Sequence, residues 1–378
     1  MKLDFSTAGR IIFETGAFYK LPDLCAAKGK NFLIITGGSS LEKSGLLGKL
    51  EEGLREKGIR FALAGGVAQE PQVEDVDEAV AAGLKIKADA VLSIGGGSVI
   101  DTGKAVSGVI TNGGSIRDYL EGVGDRKLVQ DPLPFIAVPT TAGTGTEATK
   151  NAVISSKREG FKRSIRDDRL LPDIAVIDPA LTVSAPKSVT ASSGMDAICQ
   201  LIESYTAVAH NAFCDAMALY NIPRALAAIK RAYDSPDDME AREQMCLASL
   251  CSGICLANAG LGAAHGFAAG LGVTLGIPHG IACGMLLPHV MRLNYEKGVS
   301  RYEDIAYAVY GDRNTVMRLI EDIEALNAAM DIPKDLKGYG IKPEMAGTLA
   351  RASMGSSMKK NPVEFTVRDC EEFISALI

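Results

Sequence analysis

Four side chains in the second half of this 378-residue chain have the types and spacing for metal chemistry. Asp196 and Gln200 stand four residues apart in Gly194–Ala207, a stretch with a helical pattern, so they project from one face while Ile198 and Leu201 lie off it and pack. His265 lies in a run from Gln244 to Met291 that contains no Asp, Glu, Lys or Arg. His279 follows fourteen residues later in Ile277-Pro278-His279-Gly280, a turn leading into the next helix. One Asp with two His suits Zn²⁺ or Fe²⁺ and leaves room on the ion for solvent or substrate. Spacing alone equally allows two hydrogen-bonded core histidines and no ion. The other two histidines, His210 between helices and His289 after Pro288, read as structural.

A second set of residues suits phosphate. Ser93-Ile94-Gly95-Gly96-Gly97-Ser98-Val99-Ile100-Asp101 follows a strand pattern and opens a helix. Three glycines exceed what a tight turn needs; they let backbone approach a ligand, and the amides of the following helix make an anion site. Gly96, Gly97, Ser98 and Asp101 are therefore candidate cofactor residues, with Asp101 also expected to close a capping-box-like pair with Ser98. Pro139-Thr140-Thr141-Ala142-Gly143-Thr144-Gly145-Thr146-Glu147 is too polar for a core and reads as a ligand loop. With Ala148 it fits the loose G-x-G-x-x-A form, although no strict G-x-G-x-x-G follows any strand. After the first strand, Gly37, Gly38 and Ser39 offer amides and a hydroxyl but no carboxylate. An acidic residue there would bind a ribose 2′-hydroxyl and repel a 2′-phosphate, so its absence, with Lys43 nearby, favours NADP over NAD.

These residues need a scaffold, and its pattern is readable. Apolar runs at Asn31–Thr36, Arg60–Ala64, Ala90–Ile94, Pro134–Val138 and Asp173–Ile177 alternate with helical patterns near Leu41–Lys57 and Val73–Ile86. That alternation predicts a doubly wound, Rossmann-like α/β domain with a buried parallel sheet. Beyond Thr190 only helical stretches follow: Ala212–Ala228, Asp237–Ala257, Pro288–Tyr295, Ser300–Tyr310, Asn314–Met330 and Arg368–Leu377. The boundary falls near Ser184–Ser188, giving an α/β domain over 1–185 and an all-α domain over 186–378, packed closely with a cleft between them. A net charge of −6 argues against nucleic acid as a partner, and 47% hydrophobic with 23% charged residues excludes a disordered chain. Eight cysteines without a CxxC pair read as buried thiols of a reducing compartment. The start, MKLDFSTAGRIIF, lacks the layout of a signal peptide, so a cytoplasmic protein is expected. Gly260, Gly262, Gly270, Gly272, Gly276, Pro278 and Gly280 break the charge-free run, which predicts buried helices around a polar site rather than a membrane span.

Together the motifs resemble the iron-containing (group III) alcohol dehydrogenase family along nearly the whole chain. GGGSVIDTGKA (Gly95–Ala105), PTTAGTGTEAT (Pro139–Thr149), LLPDIAVIDPALT (Leu170–Thr182), SGMDA (Ser193–Ala197), His265 with His279, and Asn361-Pro362 occur in the family's order. The resemblance implies a dehydroquinate synthase-like architecture: a dinucleotide domain, a helical domain, and a catalytic metal between them. It implies that Gly96, Gly97 and Ser98 hold the pyrophosphate, that Thr140, Thr141 and Thr144 line the nicotinamide ribose, and that Lys162 reaches a cofactor hydroxyl or phosphate. Gly at 37 matches the NADP-preferring members. The family's Asp and three His fall on Asp196, Gln200, His265 and His279, so Gln200 is a departure: it ligates through its oxygen, or withdraws and leaves three ligands and water. Ala269, where many members carry another His, removes a proton-relay candidate. The expected activity is hydride transfer between an alcohol and NADP⁺, assisted by Fe²⁺ or Zn²⁺, on a small alcohol or aldehyde. The family implies a homodimer or larger. Alternatives are a polyol dehydrogenase, a dehydroquinate-synthase-like lyase, which the charge-free surroundings of His265 disfavour, and a dinucleotide-binding protein whose metal site has decayed.

Overall fold

The computed structural model describes residues 3–67 and 70–378; Met1 and Lys2, part of the N-terminal stretch read above, lie outside the described residues. Eight strands occur: β1 (Arg10–Phe13), β2 (Asn31–Thr36), β3 (Arg60–Ala64), β4 (Ala90–Gly95), β5 (Phe135–Pro139), β6 (Asn151–Ser156), β7 (Phe161–Arg166) and β8 (Ile174–Ile177). Five helices accompany them: α1 (Leu21–Ala26), α2 (Ser40–Lys43), α3 (Leu46–Glu56), α4 (Val73–Ile86) and α5 (Gly97–Asn112). Six strands form a sheet in the order β1-β8-β5-β4-β2-β3, parallel throughout. The apolar runs are continuous because both faces are covered: alternate residues serve opposite cores. Leu33, Ile35, Val91 and Ala137 pack with Val76 and Val80 of α4 and Val106 of α5. Phe32, Ile34, Leu92 and Ile136 pack with Leu21 of α1 and Leu50 and Leu54 of α3. Each such side chain contributes about 1.5–3 kcal/mol on burial. This compact unit comprises Ser6–Thr141 and Thr146–Ser184.

Three details differ from the sequence expectations. The helix expected over Leu41–Lys57 is broken by Gly45, whose φ of 73° is left-handed and separates α2 from α3. β1 and the antiparallel β6–β7 hairpin were not anticipated; Phe161–Arg166 carries three cations and is mostly half-exposed, so it lacks an apolar signal. Asp101 does not close a capping box at the start of α5, because the N-cap there is Gly96, which has no side chain. The Asp101 carboxylate instead accepts from Thr146 Oγ1 at 2.5 Å and Val153 N at 2.9 Å.

Lys104, one helical turn further, is fully buried. Its ammonium donates to Thr146 Oγ1 (3.1 Å), Thr149 Oγ1 (2.8 Å) and the Asn151 carbonyl (3.1 Å), which uses all three of its protons. Burial pushes its pKa down to about 8, against the pull of Asp101 and Glu147. Asp101 and Lys104 thus fasten the 146–153 segment onto α5.

The second unit holds residues 3–5, Ala142–Gly145 and Ala185–Ile378. It contains α6 (Lys187–Thr206), α7 (Ala212–Asp234), α8 (Met239–Ala259), α9 (Ala263–Leu275), α10 (His279–Glu296), α11 (Arg301–Tyr310), α12 (Val316–Ala329), α13 (Ala346–Ser353) and α14 (Val367–Leu377), with no strand among the described residues. Pro288, expected to begin a helix, lies inside α10. The carbonyl it would leave unpaired one turn back, that of Gly284, accepts instead from Asn327 Nδ2 of α12 at 2.7 Å. The charge-free run forms the end of α8, α9 and the start of α10; α8 and α9 meet at a 99° bend, and no single helix among the described residues is long and apolar enough to cross a membrane. All eight cysteines are buried and none is in a disulfide.

Replacing Lys104 with Ala should lower the urea midpoint of unfolding by the equivalent of about 3 kcal/mol, since it strips three acceptors and leaves a cavity. A midpoint within experimental error of the parent would contradict the fastening role.

Candidate functional site

The helical unit builds its site from a buried carboxylate. Glu203, on α6, is 2% exposed. Its oxygens accept from Gly262 N (3.0 Å), Ala264 N (2.6 Å), His265 N (3.4 Å) and His265 Nδ1 (2.6 Å). Ala263 N donates to Asn361 Oδ1 at 3.1 Å. The four amides at the start of α9, which a helix cannot satisfy internally, are thereby all partnered, and the carboxylate meets the positive end of the helix dipole. Gly262 is required for this, because a Cβ there would lie 2.8 Å from Glu203 Oε1.

With Nδ1 donating to Glu203, His265 turns its Nε2 to Asp196 Oδ1 at 3.1 Å, donating to that carboxylate when protonated and offering a lone pair to an ion once the Nε2 proton is lost. His279 Nε2 lies 3.9 Å from the same oxygen. One ligand atom each from Asp196, His265, His279 and Cys283 lies within 4.8 Å of the others. Asp196, His265 and Cys283 are buried, whereas the His279 side chain is 42% exposed. Burial raises the pKa of Asp196, but the hydrogen bond from His265 and the charges of His279 and His265 outweigh it and hold the carboxyl below its ordinary range. Burial pushes the thiol of Cys199 up to about 12 and that of Cys283 well above its ordinary value. A carboxylate, two imidazoles and a thiol converging in a buried pocket are chemically suited to a divalent transition metal.

Gln200 shares the helix face of Asp196 but turns elsewhere: its Oε1 accepts from Ser252 Oγ of α8 at 2.7 Å. Ala269 is exposed on α9, one turn beyond His265. His210 pairs with Asp215 at 3.0 Å and His289 with the Lys334 carbonyl at 2.7 Å. Neither Glu203 nor Cys283 was singled out in the sequence. Glu203 stands seven residues after Asp196, and Cys283 four after His279, so periodicity places each beside a named candidate.

Of the candidate cofactor residues of the α/β unit, those in the loops after β2, β4 and β5 collect at one edge of the sheet. The strand order reverses between β2 and β4, and ligands of such sheets sit at the carboxyl ends of the strands at that reversal. Gly37, Gly38 and Ser39 follow β2, and Gly96, Gly97 and Ser98 follow β4. A Cβ on Gly37 would lie 3.1 Å from Val99 of α5, and one on Gly96 would lie 3.5 Å from Thr141, so the three loops are neighbours. Thr140 and Thr141 follow β5. Lys162 on β7 binds Glu70 Oε1 at 2.6 Å. Thr144 belongs to the helical unit, and the glycines beside it serve packing: Gly143 lies against Ser193 of α6 and Gly145 against Gly253 of α8, each too close for a Cβ. The G-x-G-x-x-A match therefore reports helix contact in this loop.

Comparison with known proteins agrees with both halves. Residues 8–179 match the model of the iron-containing alcohol dehydrogenase family, and residues 190–378 match that of the Fe-containing alcohol dehydrogenase family, C-terminal. Alcohol dehydrogenase 4 of Saccharomyces cerevisiae (strain YJM789) is 35% identical over 361 residues, 94% of this chain and 93% of the yeast protein. The NADPH-dependent butanol dehydrogenase of Clostridium saccharobutylicum is 33% identical over 341 residues, 89% of this chain and 87% of its own. The solved alcohol dehydrogenase from Oenococcus oeni superposes with a TM-score of 0.93 at 29% identity, covering all of both chains.

Glu203→Ala should cost about 3–5 kcal/mol, because it leaves three amides and an imidazole N–H buried without an acceptor. Hydrogen exchange should report it locally, as lost protection at Gly262, Ala264 and His265. Equal protection in variant and parent would remove the capping role.

Proposed function

Because the chain belongs to the iron-containing alcohol dehydrogenase family, we propose that it exchanges hydride between a small alcohol or aldehyde and NADP(H), with Asp196, His265 and His279 holding a divalent metal. The reaction class, NAD(P)-dependent alcohol oxidation, is the family's own. The observation that carries the metal assignment is the convergence of Asp196, His265 and His279 within 4.8 Å, with His265 fixed in the ligating tautomer by Glu203. When bound, the ion polarises the substrate oxygen and the nicotinamide gives or takes the hydride.

The chain's own residues do the rest. Asp196 brings the negative charge that offsets the ion. His265 is rigid, held at Nδ1 and at its backbone amide by one carboxylate. His279, with 42% of its side chain exposed, marks the open side of the donor set, where substrate has access. Ala269 offers no proton relay, so protons leave through water or a cofactor hydroxyl. In the α/β domain, taken as 1–185, Gly96, Gly97 and Ser98 hold the pyrophosphate at the start of α5, whose N-cap, Gly96, has no side chain of its own to cap the helix. Thr140, Thr141 and Thr144 line the nicotinamide ribose. Lys162 reaches a hydroxyl or phosphate by releasing Glu70. Asp101, spent on Thr146 and Val153, positions this region from behind. Gly37, Gly38 and Ser39 present no carboxylate to a 2′-phosphate, which supports NADP(H). The helical domain, 186–378, carries the metal. Eight buried thiols favour a cytoplasmic setting, and exposed Val208, Phe213 and Tyr220 on and beside α7 favour a homodimer or larger.

Two measurements test this reading. His279→Ala should lose metal and cut turnover of simple alcohols and aldehydes by about a hundredfold or more; a variant that kept both would sink the metal role. Gly37→Asp fits beside Val99 with a small shift, and should lower kcat/KM for NADP(H) by about tenfold or more while changing NAD(H) little. If the parent strongly preferred NAD(H), the assignment of NADP would fall.

A further inference from the structure

Cys283 stands where a fourth donor is needed. It lies one helical turn after His279 on α10, so both side chains leave the same face, and its Sγ is 3.7 Å from His279 Nε2. A tetrahedral ion with bonds of about 2.1 Å to N and O and about 2.3 Å to S has ligand–ligand edges of about 3.4–3.6 Å. The separations among this chain's donors are 3.1 Å (Asp196 Oδ1 to His265 Nε2), 3.9 Å (Asp196 Oδ1 to His279 Nε2) and 3.7 Å (Cys283 Sγ to His279 Nε2). These three bracket those edges, and all four donor atoms lie within 4.8 Å of one another, so the side chains converge closely enough to share one ion. Gln200 has its oxygen on Ser252. The second thiol nearby, Cys199, contacts the Cys283 thiol but lies 3.6 Å from His265 Nδ1, the nitrogen that Glu203 already holds, and groups with Glu203 rather than with Asp196 and His279.

We propose that the Cys283 thiolate, not Gln200, is the fourth protein ligand, making an S, N, N, O site that takes the substrate oxygen as a fifth donor and is selective for Zn²⁺ over Fe²⁺. The proposal rests on the metal reading of Asp196, His265 and His279. On binding, the thiol proton passes to solvent and the sulfur's electron pair forms the new bond; no oxidation occurs. Asp196 and the thiolate then cancel the charge of a divalent ion, and the soft sulfur donor favours Zn²⁺ over Fe²⁺.

The test is cobalt substitution of the full-length protein, stripped of metal by chelation and titrated with Co²⁺ alone. The parent should show visible ligand-field bands and a near-ultraviolet thiolate-to-cobalt charge-transfer band. Cys283→Ser should keep the visible bands, lose the charge-transfer band and bind Co²⁺ about tenfold or more weakly. Gln200→Ala and Cys199→Ser should keep both features. X-ray absorption of the Zn²⁺-loaded parent needs no variant and should find one sulfur at about 2.3 Å. Visible bands without charge transfer in the parent, or a charge-transfer band lost with Cys199 instead, would overturn the Cys283 assignment and leave the metal site standing. Failure of the parent to bind Co²⁺ or Zn²⁺ at all would overturn the metal site, and this inference with it.

Discussion

A negative charge sealed inside a protein has to be answered on every side, and Glu203 shows how much structure that demand organises. Its carboxylate sits on α6, at the dipole-positive end of α9, and takes hydrogen bonds from three amides and one imidazole. Leaving such a group short of partners costs several kcal/mol, so α6, the Gly262 turn and α9 have essentially one relative placement. His265 inherits that placement. Its ring is oriented from behind and its Nε2 is aimed at Asp196, which lies two turns before Glu203 on the same helix. One residue thus sets a helix start and a ligand direction together.

The α/β unit reaches a similar economy without charge. The ends of β2 and β4 flank the reversal of strand order, and only small residues there allow the loops to approach one another. Gly95 shows the constraint: a Cβ at that position would lie 2.5 Å from Val99 Cγ2, within the first turn of α5. Behind this surface, Asp101 and Lys104 spend their charges on the 146–153 segment, so the buried polar groups here hold backbone in place rather than face a ligand.

The parallel sheet was legible because strands buried on both faces must be apolar throughout, as in Asn31–Thr36 and Ala90–Gly95. The β6–β7 hairpin was not, because Phe161–Arg166 places charge on a partly solvated surface and carries no run to notice. Asp196, His265 and His279 were readable from residue type and order, and the structure gathers them. Glu203 was invisible because a glutamate in a helix ordinarily faces water; only the amides of a distant helix start make it a core residue. Cys283 was hidden among eight similar thiols, and only proximity to His279 separates it from the rest. Asp101 was misread locally, since its partners lie 45 and 52 residues away.

The four residues Ala142–Gly145 belong to the helical unit although the chain on both sides of them belongs to the sheet unit. Their close-packed neighbours, Ser193 and Gly253, are made about 50 and 110 residues later during synthesis. A ribosome therefore delivers an α/β unit whose strands are all present by Ile177 yet whose own loop has nothing to rest on until α6 and α8 emerge. A cut at Ser184 would therefore leave this loop on one fragment and Ser193 and Gly253, against which it packs, on the other.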